Sequence, residues 1–204
     1  MSSLRRALLR VPGLLRAKQR LEAKGRLLRV LPRDALGVEI GVHEGDYAAR
    51  ILRAAHPRQL HLVDPWRFFD DARYAEAVYG GQAGSQAVMD ARFAAVEQRF
   101  REEIDSGRVC VHRSTCEEFG AHYRGEALDF AYIDGDHSFE GVSADLRTLV
   151  PLLRPGGIVA GDDYGAVGWW DQGVTRAVDA WIADHPGTRL RRMGSQYWFL
   201  RPGS

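Results

Sequence analysis

The sequence predicts an α/β fold: a doubly wound, seven-stranded, mostly parallel sheet with an antiparallel C-terminal hairpin and helices on both faces. Three observations point there. From Leu36 onward, short apolar runs alternate with segments of helical periodicity, the pattern of strands joined by crossover helices. Several of those runs end on glycine or acidic residues, as strands do when their carboxyl ends face a ligand. The last two strand-like segments are separated only by Gly194, too little chain for a crossover, so they should form a hairpin. At 204 residues the chain is long enough for one domain with a single substantial core.

The elements follow in order. "GVEIG" (37–41) reads as the first strand, and "DYAARILRAA" as a helix with Tyr47, Ile51 and Leu52 on one face. "LHLVD" (60–64) is the second strand. Segment 66–84 exceeds an ordinary strand-to-helix connection and is expected to be a lid or substrate loop. A long helix is expected over about 85–103, with Val88, Phe93, Val96 and Phe100 inward, followed by the strand "VCVHR" (109–113) and a short helix near "CEEFGAHY". "LDFAYID" (128–134) is nearly continuous in apolar residues, as a strand buried on both faces should be. Ser138 is a good N-cap for the next helix, in which Val142, Leu146, Leu149, Val150 and Leu153 recur at helical spacing. "RPGG" stops it, and "GIVAGDD" (157–163) is the fifth strand. A helix over about 174–183 and strands near 188–193 and 195–200 complete the chain.

Charge excludes some functions and leaves others open. The net charge of +1 gives no support for a nucleic-acid partner. Residues 1–35 form a distinct basic amphipathic segment ahead of a domain spanning 36–204, with ten Lys/Arg before residue 34 and Pro12-Gly13 splitting it into two helices. It is expected to pack on its own domain or a sister subunit, making a homo-oligomer, in preference to an anionic membrane surface. Arginines interrupt every apolar stretch there, against a secretory signal, and no run approaches a membrane span. Cys110 and Cys116 show neither metal spacing nor a disulfide framework, which fits a reducing, cytoplasmic setting.

The candidate site lies at the carboxyl ends of the strands. "VEIGVHEGDY" places Glu39, Gly41 and Gly45 around a tight strand-to-helix turn, where glycine lets a ligand approach the backbone. Asp64 ends the second strand, where an acid can bind both hydroxyls of a ribose. A turn or cap role is the alternative for Glu39 and Asp64. The spacing is not Gly-x-Gly-x-x-Gly, which counts against a dinucleotide. Asp134 ends the fourth strand, and Asp162 with Asp163 ends the fifth. Adjacent parallel strands would bring these three carboxylates together, where a hard cation relieves their repulsion: Mg²⁺, with Mn²⁺ or Ca²⁺ as alternatives. Helix capping is the competing role. Asp136 reads as a turn former. His137, three residues after Asp134, is placed to act as a general base. Tyr164, Trp169 and Trp170, together with the 66–84 segment that begins at Trp66, could wall an acceptor pocket or pack under the hairpin.

Taken together, "VEIGVHEG", "LHLVDPW", "LDFAYIDGDHSFEGVSADL" and "LLRPGGIVAGDDY" resemble the class I S-adenosylmethionine-dependent methyltransferases, with their Rossmann-like fold. The nearer likeness is to the branch of the macrocin-type sugar O-methyltransferases, with catechol O-methyltransferase more distant. The resemblance spans about residues 36 to 200. It implies that Glu39 and Gly41 face the methionine part of the cofactor, that Asp64 binds the ribose, and that Ser114 or Thr115 lies near the adenine. It also implies that His137 takes the substrate proton. The chain departs from many members in carrying His43 where they have a third glycine. The expected activity is a divalent-metal-dependent transfer of methyl to a hydroxyl of a small molecule, a sugar or natural-product diol or a catechol. A nicotinamide-dependent oxidoreductase and a non-enzymatic membrane-peripheral scaffold are the competing readings.

Overall fold

The computed structural model describes residues 22–203. Strands β1 (Leu36–Ile40), β2 (Gln59–Asp64), β3 (Val109–Arg113), β4 (Leu128–Ile133), β5 (Leu153–Gly161), β6 (Arg191–Met193) and β7 (Gln196–Leu200) join in one sheet, in the order β3-β2-β1-β4-β5-β7-β6. β1 to β5 pair in parallel, and β7 runs antiparallel to both its neighbours. The helices are α1 (residues 22–27), α2 (Asp46–Ala54), α3 (Gln86–Arg99), α4 (Arg101–Asp105), α5 (Cys116–His122), α6 (Phe139–Leu149) and α7 (Gly173–Asp184).

The apolar strands divide their side chains between two cores. Leu60, Leu62, Phe130 and Tyr132 face one layer, which holds Leu27, Leu28 and Leu31 with Tyr47, Ile51, Met89, Val96 and Phe100. Val38, Ile40, Val63, Ala131 and Ile133 face the other, made by Val142, Leu146 and Leu149 of α6, Val174 and Val178 of α7, and Tyr197 and Phe199 of β7. Each large side chain so buried is worth about 1.5–3 kcal/mol. Strands covered on both faces have no use for alternation, which explains their nearly unbroken apolar runs.

Two boundaries and one inward-facing residue differ from the sequence reading. The helix expected over 85–103 divides at Phe100, which closes α3 with φ −109° and ψ 21° and sinks its ring into the core against Gly45. Val88 is 39% exposed, and Met89 takes the inward place instead. The buried face thus runs Met89, Phe93, Val96, Phe100, in phase with a 3.6-residue turn. β5 starts at Leu153, not 157, because Leu153 pairs with Leu128 before an irregularity resets the register at Phe130 and Ile158.

The expectations for residues 1–21, the Pro12-Gly13 break included, lie outside the described residues. From residue 22 the segment packs on its own domain, with Ala23, Leu27, Leu28 and Leu31 buried. No described helix is long and apolar enough to cross a membrane.

Candidate active site

The turn from β1 into α2 is shaped by its backbone. Gly41 sits at φ +83°, and a Cβ there would collide with the Asp134 carbonyl, so β1 and β4 approach closely only because residue 41 is glycine. His43 holds φ +55°, which answers how the turn tolerates a side chain where the resemblance implies glycine. Asp64 fastens this turn: its Oδ2 accepts the N–H groups of Val42 and His43 at 3.0 Å, and Oδ1 accepts that of Trp66 at 2.7 Å. Gly45, also left-handed, starts α2 and packs on Phe100.

A cavity of about 390 Å³ opens beside the turn, within the range of small-molecule sites. Gly41, His43 and Asp64 line one part, Thr115, Cys116 and Asp145 another, and Asp134, Asp136 and His137 a third. Its wall is aromatic. The 66–84 segment contributes Phe69, Tyr74 and Tyr79, and the β5–α7 connection contributes Trp169 and Trp170. The two meet where Tyr74 and Trp169 lie 5.1 Å apart, edge to face, and Trp170 lies 4.9 Å from the His137 ring. Tyr74 and Tyr79 donate their hydroxyls to Asp136 at 3.2 and 3.3 Å, and Asp136 also accepts the Ser138 N–H at 2.9 Å. Asp136 is thus a turn former that also latches the aromatic segment. Ser138 caps α6, its Oγ accepting the Gly141 N–H.

Ionisable groups crowd the floor. His137 Nε2 lies 3.3 Å from Asp134 Oδ1 and 3.5 Å from Asp163 Oδ2, and the potential ligand atoms of these three residues lie within 4.8 Å of one another. Burial works against the imidazolium, but Asp134 and Asp163 outweigh it and raise the His137 pKa above its ordinary value. Asp162, 1% exposed, is set apart. Its Oδ1 accepts from Ser195 Oγ at 2.6 Å, from the Asp163 N–H at 2.7 Å and from Gln196 Nε2, while its Oδ2 lies 2.8 Å from Lys24 Nζ. Lys24 also reaches Asp134 Oδ2 at 2.9 Å. Burial disfavours both charges, yet the pairing prevails: Lys24 is held above its ordinary pKa and Asp162 below the usual carboxylate range.

Residues 38–164 match the family described as a methyltransferase domain. The chain belongs to that family. Its S-adenosylmethionine-dependent fold is shared by the O-methyltransferase NovP, at 20% identity and a TM-score of 0.63, over 91% of this chain and 80% of that one. A protein of Corynebacterium glutamicum matches at 16% identity and TM-score 0.62, covering 93% of this chain and 90% of its own. The N-methyltransferase NodS of Bradyrhizobium japonicum matches at 13% and 0.57, over 91% and 98%. No curated protein matches the chain. An O- and an N-methyltransferase among these neighbours mean that the fold alone does not choose the acceptor atom. The oxidoreductase alternative falls with the family match.

The methyltransferase's residues fit S-adenosylmethionine. Gly41 and Asp64 line the cavity, and Glu39, 1% exposed, keeps Oε2 without a hydrogen-bond partner. Burial, with Asp134 adding to it, pushes the Glu39 carboxyl well above the usual range.

Several expected site residues stand elsewhere than expected. Trp66 does not wall the pocket: it is fully buried, packs on Phe93 at 5.1 Å and donates its Nε1–H to the His43 carbonyl. Tyr164 is likewise core, donating to Asp179 at 2.6 Å under the Arg192 guanidinium. Ser114 lines a separate open groove with His112 and His122, while Thr115 lines the cavity and caps α5 reciprocally with Glu118. Asp162 is absent from the cluster formed by Asp134, His137 and Asp163. Lys24, Asp145, Ser195 and Gln196 escaped the sequence reading, and Tyr74 and Tyr79 entered it only as part of the 66–84 segment. A signal existed for Lys24: it is one of two lysines in a chain with 26 arginines.

Proposed function

We propose that this methyltransferase transfers methyl to a hydroxyl of a small molecule bearing two neighbouring oxygens, a sugar or natural-product diol or a catechol. The observation that carries the reading is the cavity itself: an aromatic wall of Tyr74, Tyr79, Trp169 and Trp170 stands over a floor where His137 touches two carboxylates. Aromatic faces suit a sugar or aryl ring. In this reading Asp134 and Asp163 hold a divalent ion, since Mg²⁺ takes one or two carboxylates and keeps its waters. The ion, when bound, lowers the pKa of the acceptor hydroxyl and orients it. S-adenosylmethionine, when bound, brings a methyl group already activated on a sulfonium.

The chain's own residues then align and accept the proton. His137 would take the hydroxyl proton on its imidazole as the acceptor oxygen gains the methyl and the sulfonium leaves as the thioether, and the flanking carboxylates would stabilise the imidazolium. Asp136 and its two tyrosines fix the wall against which the acceptor lies.

The test is an acceptor screen of sugar diols, catechols and matched amines, reading S-adenosylhomocysteine release with and without EDTA. Turnover on diols or catechols that EDTA abolishes, and that Asp163→Ala loses, supports the proposal. Transfer to amines alone overturns the hydroxyl reading, and full activity in excess EDTA removes the ion.

A further inference from the structure

The strand ends carry an anomaly. Two carboxylates expected to share a metal ion share an ammonium instead, Lys24 Nζ lying 2.9 Å from Asp134 Oδ2 and 2.8 Å from Asp162 Oδ2. Asp162 is fixed from behind as well. Its Oδ1 meets Ser195 and Gln196, and Gln196, itself fully buried, is oriented by the Tyr132 hydroxyl donating to its Oε1 at 3.0 Å. Both Asp162 oxygens are therefore engaged by protein donors.

Lys24 is no wandering surface lysine. It rides on α1, whose neighbours Ala23, Leu27 and Leu28 are buried in the core. Its ammonium lies 5.1 Å from the centre of the Tyr47 ring, and Tyr47 packs on Tyr132 at 4.2 Å. Lysine suits the task. A compact ammonium with three donors can bridge two carboxylates from one point, which a planar guanidinium does poorly.

We infer that Lys24 is a tethered cation that holds the Asp134–Asp162 pair in place of a metal ion and confines any divalent ion to the outer side of Asp134, beside Asp163 and His137. Lys24 places one positive charge between Asp134 and Asp162, which lessens the negative charge available to a divalent ion there. Lys24 is then a positioning residue. It acts through Asp134, keeping the inner oxygen occupied and leaving the outer one, Oδ1, for the ion and for His137.

This inference rests on the proposed divalent site, and its test reads the metal, not methyl transfer. Full-length protein stripped with chelator is titrated with Mn²⁺ by calorimetry, as wild type, Lys24→Met and Lys24→Arg. Lys24→Met keeps the apolar stem and removes the charge. It should bind Mn²⁺ at least about tenfold more tightly than wild type, because a like charge has left the site. Its melting temperature should also rise more on adding Mn²⁺, while Lys24→Arg, which keeps the charge but bridges poorly, should fall between Lys24→Met and wild type. Equal Mn²⁺ affinity and equal thermal shift in Lys24→Met and wild type overturn the inference. If Lys24→Met does not fold in chelated buffer, refolding on Mn²⁺ supports the inference and failure to refold overturns it. In Mn²⁺-soaked wild-type crystals, an ion beside Asp163 with Lys24 in place supports it, and an ion between Asp134 and Asp162 with Lys24 displaced overturns it. Mn²⁺ binding gained only in Lys24→Met supports the tethered cation while sinking the divalent ion of the proposed function.

Discussion

Replacing Asp145 with asparagine should remove a pH dependence of stability that the wild-type protein carries. Asp145 lies on α6, 8% exposed, at the cavity, and its carboxyl is pushed up to about 7. Burial is the main cause. Asp136 and Glu117 push the same way, the Cys116 thiol and His137 oppose, and Tyr197 faces it from β7. In the unfolded chain the carboxyl ionises near its ordinary 3.8, so between that pH and about 7 the folded state holds more proton. Stability from this group is complete at acid pH and is lost as pH rises through 7. At about 1.36 kcal/mol per pH unit, the full shift amounts to roughly 4 kcal/mol. Urea denaturation of both proteins at pH 5 and pH 8 measures it. Wild type should lose roughly 3 kcal/mol relative to Asp145→Asn across that interval. Parallel stability curves for the two proteins would refute the reasoning.

Two further substitutions separate cofactor from acceptor. Gly41→Ala forces a left-handed residue, at about 1–2 kcal/mol, and drives a methyl into the Asp134 carbonyl; calorimetry should show S-adenosylhomocysteine affinity falling about tenfold or more. The double change Tyr74→Phe, Tyr79→Phe removes both hydroxyls from Asp136, each worth about 1.5–3 kcal/mol to a charged acceptor. Steady-state kinetics should then show the acceptor KM rising while S-adenosylhomocysteine affinity stays unchanged.

What could be read in the sequence was what local chemistry dictates. Apolar runs ending in "VD", "ID" and "GDD" located the strands and the rim of the sheet, because a strand buried on both faces tolerates charge only at its end. Ser138 announced α6 because its hydroxyl satisfies an N–H that the helix leaves open. The family followed from those same segments. What could not be read was partnership across distance. Asp134 and Asp162 looked alike as strand-terminal acids, yet one meets His137 and the other Gln196, thirty-four residues on. Trp66 looked like a pocket wall because it opens the long loop. Its left-handed backbone, φ 39°, turns the indole inward, and only the fold discloses that. Lys24 lies 110 residues from Asp134, beyond any local pattern.

That last separation has a consequence for how the molecule comes into being. Asp162 is gripped by Lys24 from near one end of the described chain and by Ser195 and Gln196 from near the other. As the polypeptide leaves the ribosome, β1 to β5 and their helices are complete while β7 is still unmade. Until residues 195 and 196 emerge, the buried carboxylate lacks two of the donors on its Oδ1 and the sheet lacks β7 beside β5. The cluster around Asp162 is therefore one of the last parts of the protein to mature, assembled from contacts whose long loops must close before they repay the cost. A nascent chain has its fold in outline well before it has a working centre.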